Sequence, residues 1–295
     1  MKKLFALAVV LTAQGLRAET GAYKTIVDQM RQIETAHPKT AAVFSIGNNQ
    51  DGVPLYALRI STDPSKMDAN KIGQLVVGTH HGNERHAAVS AMHFAQRLVT
   101  KYESNVVWQS RLADTEFTVL PVLNVSGYNS NRREEAGRDP NRNYAGPCNS
   151  SQPTLGSIKA LVQFLTTRLF AATVTIHGYI GVLAYPWGFA TTHVETRDQA
   201  TFDALAKEAA SHNGYRYGTS TDTIYPATGT YEDYVYWKHG IWSLLVELYN
   251  GSTNDIADTS DAMYSFFENV DSSPSVNNQH DGQCTRRLLA DLRMD

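Results

Sequence analysis

The chain of 295 residues has only two cysteines, Cys148 and Cys284. Neither sits in a CxxC or CxxH pair, so a cysteine ligand for zinc is not expected. No charge sign dominates: 26 Lys and Arg stand against 29 Asp and Glu, a formal net charge of −3. A chain this near neutrality is not expected to hold nucleic acid. It has no basic run that would anchor it to a membrane surface. The apolar stretch from Leu4 to Ala13 is too short to span a bilayer. There is no internal repeat and no long low-complexity linker. Length and ordinary hydrophobic content suit one large α/β domain or two small ones.

The N-terminus reads as a signal peptide. Lys2-Lys3 precede the apolar stretch, and a cleavage site follows Ala18, although Leu16 is not the small residue favoured three positions before a cut. Residues 1–18 are therefore set apart from a mature domain at 19–295, and the protein is expected to be exported, to the periplasm or outside the cell. An uncleaved anchor is the competing reading. After cleavage no membrane contact is expected, and a monomer is the default. Oxidising conditions make an even cysteine count an invitation to a Cys148–Cys284 disulfide; two unpaired thiols are the alternative.

Along the chain, helical spacing runs from Thr20 to Ala36, with Tyr23, Ile26, Val27, Met30 and Ile33 on one face. Strands are expected at Thr40–Ile46 and Pro54–Ser61, around an Asn-Asn-Gln-Asp-Gly turn. Further strands are expected at Gln74–Gly78, Glu116–Leu123, Ala172–Ile176, Val182–Tyr185 and Trp242–Leu248. Helices are expected at Ala87–Thr100, Ser157–Arg168, Arg197–Asn213, Thr230–His239 and Ala257–Val270. Residues 124–155 read as a long loop, of a kind that is often functional. Strands alternating with helices predict a single α/β domain with a mixed, largely parallel central sheet flanked by helices.

The informative polar residues sit where apolar strands end, and ligands of open α/β sheets bind beyond the carboxyl ends of strands. His81-Gly82-Asn83-Glu84 is an HxxE pair after Val76-Val77-Gly78-Thr79. His177 follows Val174-Thr175-Ile176. HxxE alone is weak in a chain with ten histidines. Two histidines and a glutamate at sheet edges say more, since such a set holds Zn²⁺ with a fourth position open. His80 is expected to be a satisfied polar loop residue. Glu247 lies inside the apolar strand Leu244–Tyr249, where a charge is costly unless it is paired or functional.

Together these motifs resemble the zinc carboxypeptidase family typified by pancreatic carboxypeptidases A and B, from about Tyr23 to Asn250. The His₂Glu ligand set is that of carboxypeptidase A. The resemblance implies one Zn²⁺ per chain, held by His81, Glu84 and His177. The run His177-Gly178-Tyr179 and Leu183–Gly188 resembles the segment after the family's last ligand, with Gly178 where the pancreatic enzymes have Ser. Asp139-Pro140-Asn141-Arg142-Asn143-Tyr144 resembles a second block. By that match Asn141 and Arg142 bind the substrate's terminal carboxylate, for which a planar guanidinium is suited. Asp139 would accept a hydrogen bond from His81 and fix its ring. Arg132, chosen over its neighbour Arg133 by spacing alone, would polarise the scissile carbonyl. Thr223–Gly229 resembles the family's mobile loop, with Tyr225 closing over substrate. Glu247 would be the base that takes a proton from water and returns it to the leaving amine.

The resemblance thus implies a zinc metallocarboxypeptidase, acting on peptides with a free C-terminal carboxylate. Glu232 lies where the pancreatic branch floors its specificity pocket, which would favour a C-terminal Lys or Arg. An equally open reading makes Thr230-Tyr231-Glu232-Asp233 a capping box, with its acids facing a helix N-terminus. A cell-wall peptidase cutting at diaminopimelate is an alternative, because that residue also carries a distal ammonium. A zinc deacylase, or an inactive binding module, is a more distant one. No long pro-segment like that of digestive zymogens precedes the match, so the expectation is activity as made, or restraint by something else.

Overall fold

A computed structural model describes residues 20–279. The expected signal peptide and Cys284, and with it the expected disulfide, lie outside the described residues. Eight strands form one sheet: β1 (Ala41–Asn48), β2 (Pro54–Ile60), β3 (Ile72–Gly78), β4 (Thr115–Leu120), β5 (Phe170–Gly178), β6 (Val182–Tyr185), β7 (Arg216–Thr219) and β8 (Trp242–Leu248). Their order is β1-β2-β4-β3-β5-β8-β6-β7. The central strands β4, β3, β5 and β8 run parallel. An antiparallel pair, β1 and β2, extends one side, and β6 joins β8 antiparallel on the other. The sheet is thus mixed with a parallel centre, as the alternation of elements predicts.

The central strands read as continuous apolar runs because both of their faces are covered. Leu75, Val76, Val77, Val174, Ile176 and Val246 are all fully buried. Helix α1 (Gly21–Ala36) buries the five residues its periodicity names. Helix α2 (Arg85–Ser104) starts directly after the HxxE pair and packs on β3 and β5. Its buried stripe of Ala87, Ala88, Ala91, Phe94, Ala95 and Leu98 has the 3.6-residue period of a core-facing helix.

Three departures from the sequence reading share one cause, shortness. Helix α3 (Val106–Asp114) buries only Trp108 and Leu112, and its Asn105 cap accepts from the Val107 and Trp108 N–H groups. The expected loop at 124–155 contains helix α4 (Val125–Ser130), capped by the Asn124 side chain, and a 3₁₀ turn at Pro140–Arg142. Strand β7 and the one-turn helix α7 (Ser220–Thr223) were also too brief to show a period. The remaining helices are α5 (Gly156–Leu165), α6 (Gln199–Asn213), α8 (Tyr231–His239) and α9 (Thr253–Asn269). Helices α6 and α8 end as their sequences suggest, at Gly214 and Gly240 in the left-handed conformation. Among the described residues no helix is long and apolar enough to cross a membrane.

Candidate metal centre and its cavity

Three adjacent parallel strands, β3, β5 and β8, end side by side at one edge of the sheet. His177 is the penultimate residue of β5, and its register partner on β8 is Glu247. The chain leaving β3 turns at Thr79, a buried non-glycine residue with φ 57, whose hydroxyl donates to the Pro121 carbonyl at 3.0 Å. This strained turn carries His81 and Glu84 back over the strand ends. Gly82 is required there: a Cβ would come within 2.1 Å of the Gly127 backbone.

His81, Glu84 and His177 are buried, and their ligand atoms lie within 4.8 Å of one another. His81 Nδ1 is 2.8 Å from Glu84 Oε1, and His177 Nδ1 is 3.1 Å from both His81 Nδ1 and Glu84 Oε2. His81 Nε2 faces Asp139 Oδ1 at 3.0 Å. His81 Nε2 is thereby held on that carboxylate, and Nδ1 is the nitrogen directed at the centre of the group. Burial would raise the Glu84 carboxyl, but hydrogen bonds from His177 and His81 outweigh it and bring it down to about 2. Burial likewise opposes, and the His81 and Arg133 partners outweigh it, at Asp139, which is held below the usual carboxylate range. Several acceptors thus converge on one point, an arrangement that a divalent cation would relieve. The donor set fits Zn²⁺.

The group opens into a cavity of about 190 Å³ whose lining includes Arg133, Asn141, Arg142, Tyr225, Glu232 and Glu247. Arg133, not Arg132, is the arginine that lines it. The spacing argument could not choose between these neighbours. The Arg132 N–H bonds back to Gly127 O, its side chain is exposed to solvent, and the following residue turns inward. Arg133 donates from Nε and Nη2 to Asp139 Oδ2 at 3.2 and 3.0 Å, and from Nη1 to Glu84 Oε1 at 3.4 Å.

Asn141 and Arg142 lie on the 3₁₀ turn that Asp139 caps by accepting from the Asn141 N–H at 2.8 Å. Asn141 Oδ1 accepts from the Tyr231 N–H at 2.8 Å, which leaves its NH₂ for the cavity. Arg142 Nη2 donates to the Tyr225 hydroxyl at 3.1 Å. The Tyr225 ring itself is 51% exposed, so it stands at the mouth. Gly229, at φ +72, passes so close to Arg142 that a Cβ would meet its carbonyl at 2.7 Å.

Glu247 sits among unlike neighbours. Burial, with the Glu84 and Glu232 charges, pushes its carboxyl up to about 7 against the opposing pull of His177 and Arg133. Glu232 is 2% exposed, with Oε1 3.4 Å from the Ser220 hydroxyl. Its Oε2 has no hydrogen-bond partner among the described residues, and neither has Thr230 Oγ1. The capping-box reading fails here: Thr230 makes no side-chain cap and Glu232 turns into the cavity. Asp233 instead accepts from the Gly188 N–H at 2.9 Å. Ser220, Ile224, Thr230 and Leu245 also line the cavity and carried no sequence signal, because they come from α7, the residue after it, the cap of α8 and the strand β8, which only the fold brings together. Gly178 lines it too, and having no side chain it can contribute only backbone.

A mixed α/β sheet with a buried His₂Glu group at the carboxyl ends of its parallel strands defines a protein with a candidate metal centre at the sheet's end. The chain belongs to the zinc carboxypeptidase family, whose model matches residues 26–272. The cofactor of that family is Zn²⁺. The chain is 28% identical to human carboxypeptidase B over 265 residues, covering 77% of this chain and 62% of that protein. It is 27% identical to rat carboxypeptidase A1 over 260 residues, covering 76% and 61%. It therefore spans less than two thirds of the length of these relatives. A structure of bovine thrombin-activatable fibrinolysis inhibitor superposes with a TM-score of 0.69 at 18% identity, covering 85% of this chain and 97% of that one. That likeness concerns the fold.

Proposed function

We propose that the protein is an exported zinc metallocarboxypeptidase that removes single C-terminal residues, preferring Lys or Arg, and that residues 19–295 are its catalytic domain after loss of the signal peptide. The observation that carries the reading is one cavity lined at once by the His81–Glu84–His177 group, Glu247, three cation-bearing or amide clamps and Glu232. Zn²⁺, when bound, supplies a Lewis acid that acidifies water and polarises a carbonyl. Asn141, Arg142 and Tyr225 grip the terminal carboxylate of the peptide. Arg133, already braced by Asp139, stands where a cation offsets charge growing on the scissile carbonyl oxygen. Glu247 is poised near neutrality, so it can take a proton from water and return it to the leaving nitrogen.

The basic preference is supported by Glu232 Oε2, a buried acceptor without a partner among the described residues. A terminal ammonium or guanidinium would satisfy it. Diaminopimelate would set its second carboxylate beside Glu232, and the lining named at that end offers hydroxyl and apolar groups but no cation.

The test is a panel of peptides ending in Lys, Arg, Phe or Glu, with a γ-D-Glu-diaminopimelate peptide, followed by mass with and without a zinc chelator. Release of single Lys or Arg, abolished by chelation and restored by Zn²⁺, is expected. Cleavage of the diaminopimelate peptide alone would replace the substrate class. No cleavage with Zn²⁺ demonstrably bound would overturn the peptidase reading and bring a deacylase forward.

A further inference from the structure

The two histidines of the metal group are held in different ways. His81 has its outer nitrogen on Asp139, 3.0 Å away. His177 has no such brace: its Nε2 is buried with no hydrogen-bond partner among the described residues. A ligand imidazole normally has its other nitrogen hydrogen-bonded, which fixes both tautomer and ring orientation.

The ring packed most nearly parallel to His177 is that of His80. Its ring lies against His177 with centroids 5.3 Å apart and planes 19° from parallel. His80 is fully buried and pinned at both nitrogens, Nδ1 to the Thr175 hydroxyl at 3.1 Å and Nε2 to the Tyr144 hydroxyl at 2.9 Å. Its carbonyl accepts from Asn124 Nδ2 at 3.2 Å. On a further side the Tyr231 ring closes the stack at 5.2 Å. Tyr144 in turn donates its N–H to Gly229 O at 3.0 Å, and the Tyr231 N–H reaches Asn141. The back of the metal group is thereby tied to the segment that carries the carboxylate clamp.

We infer that His80 is a positioning residue: a doubly anchored ring that holds His177 in its ligating orientation in place of the missing outer hydrogen bond. The inference rests on the metal site used in the proposed function but not on peptidase activity. It makes the Tyr144 and Thr175 hydroxyls supports of the metal site, acting through His80.

Tyr144→Phe and Thr175→Val each remove one anchor with little change of shape. Both are expected to weaken Zn²⁺ about 10-fold or more in competition with a coloured chelator, with the metal-free proteins folded as wild type by circular dichroism. Thr175→Val, remote from the clamp, should lower kcat and leave KM for a peptide unchanged. Wild-type Zn²⁺ affinity in both folded variants would overturn the inference. Should neither variant fold, ¹⁵N NMR of the wild-type imidazoles decides: a single fixed His80 tautomer is expected, and a ring averaging between tautomers overturns it. Because metal affinity is read directly, a protein that cleaves no peptide still tests this inference.

Discussion

The two ends of the cavity are built on different principles. At the metal end, His81, Glu84, His177 and Glu247 stand on or just beyond the ends of adjacent parallel strands, and most of their polar atoms face one another. At the far end, Ser220, Tyr225, Thr230 and Glu232 come from a one-turn helix, a loop and the start of α8, and two buried acceptors there have no partner among the described residues. The first end is largely paired within itself, His177 Nε2 apart. The second keeps unpaired buried groups on Thr230 and Glu232. Leaving a buried carboxylate oxygen unpaired costs stability, so it is informative where it occurs.

The same contrast separates two glutamates of one cavity. Glu84, hydrogen-bonded by two histidines, is held ionised far below neutrality. Glu247, with burial and two like charges against it, is lifted to about 7. A ligand needs the first environment and a proton carrier the second.

Four experiments can sharpen or break this division. The largest effect is expected from Glu247→Gln: kcat should fall about 100-fold to 10,000-fold while Zn²⁺ affinity stays close to wild type. A loss of metal binding instead would move Glu247 into the metal end. Next, Arg133→Ala should lower kcat about 100-fold to 1,000-fold, and Arg132→Ala should leave peptide hydrolysis unchanged; steady-state kinetics that reversed this order would restore the choice made by spacing.

A smaller change is expected from Glu232→Gln, since a hydrogen bond to a charged group is worth about 1.5–3 kcal/mol. Competition between peptides should show kcat/KM for C-terminal Lys and Arg falling about 10- to 100-fold, with Phe unaffected. Equal losses for all residues would make Glu232 a structural acid. The mildest test is pH. A carboxyl lifted above its ordinary value is protonated, and useless as a base, at pH values where a free glutamate still works. Activity should therefore fall with acidity below the Glu247 pKa, about tenfold per unit. Bound Zn²⁺ should draw that limb below pH 7. A flat kcat/KM profile from pH 5 to 8 would remove Glu247 from the role.

Much of this was legible in one dimension. The parallel sheet followed from apolar runs alternating with helical periods; His81 and His177 stood out because each follows such a run, Glu247 because it is a charge inside one, and the family resemblance joined them with Glu84 into one site. Asn141, Arg142 and Asp139 came as one contiguous block, and Tyr225 stands at a fixed spacing from Glu247. Where the reading failed, the reason was local degeneracy. Arg132 and Arg133 are adjacent and chemically identical, so only the turn after α4 chose between them. Thr230-Tyr231-Glu232-Asp233 satisfies the pattern of a capping box, and only the packing of α8 turned Glu232 inward and gave Asp233 the Gly188 N–H.

What the sequence by itself determined is the sheet and the chemistry at its carboxyl edge, because strand ends are set by hydrophobic pattern and carry their residues with them. Tertiary structure alone decided which arginine enters the cavity, which acid lies unpaired at its floor and how His80 comes to stand behind His177. Those depend on where loops cross and which buried atoms find partners, and no spacing along a chain records that.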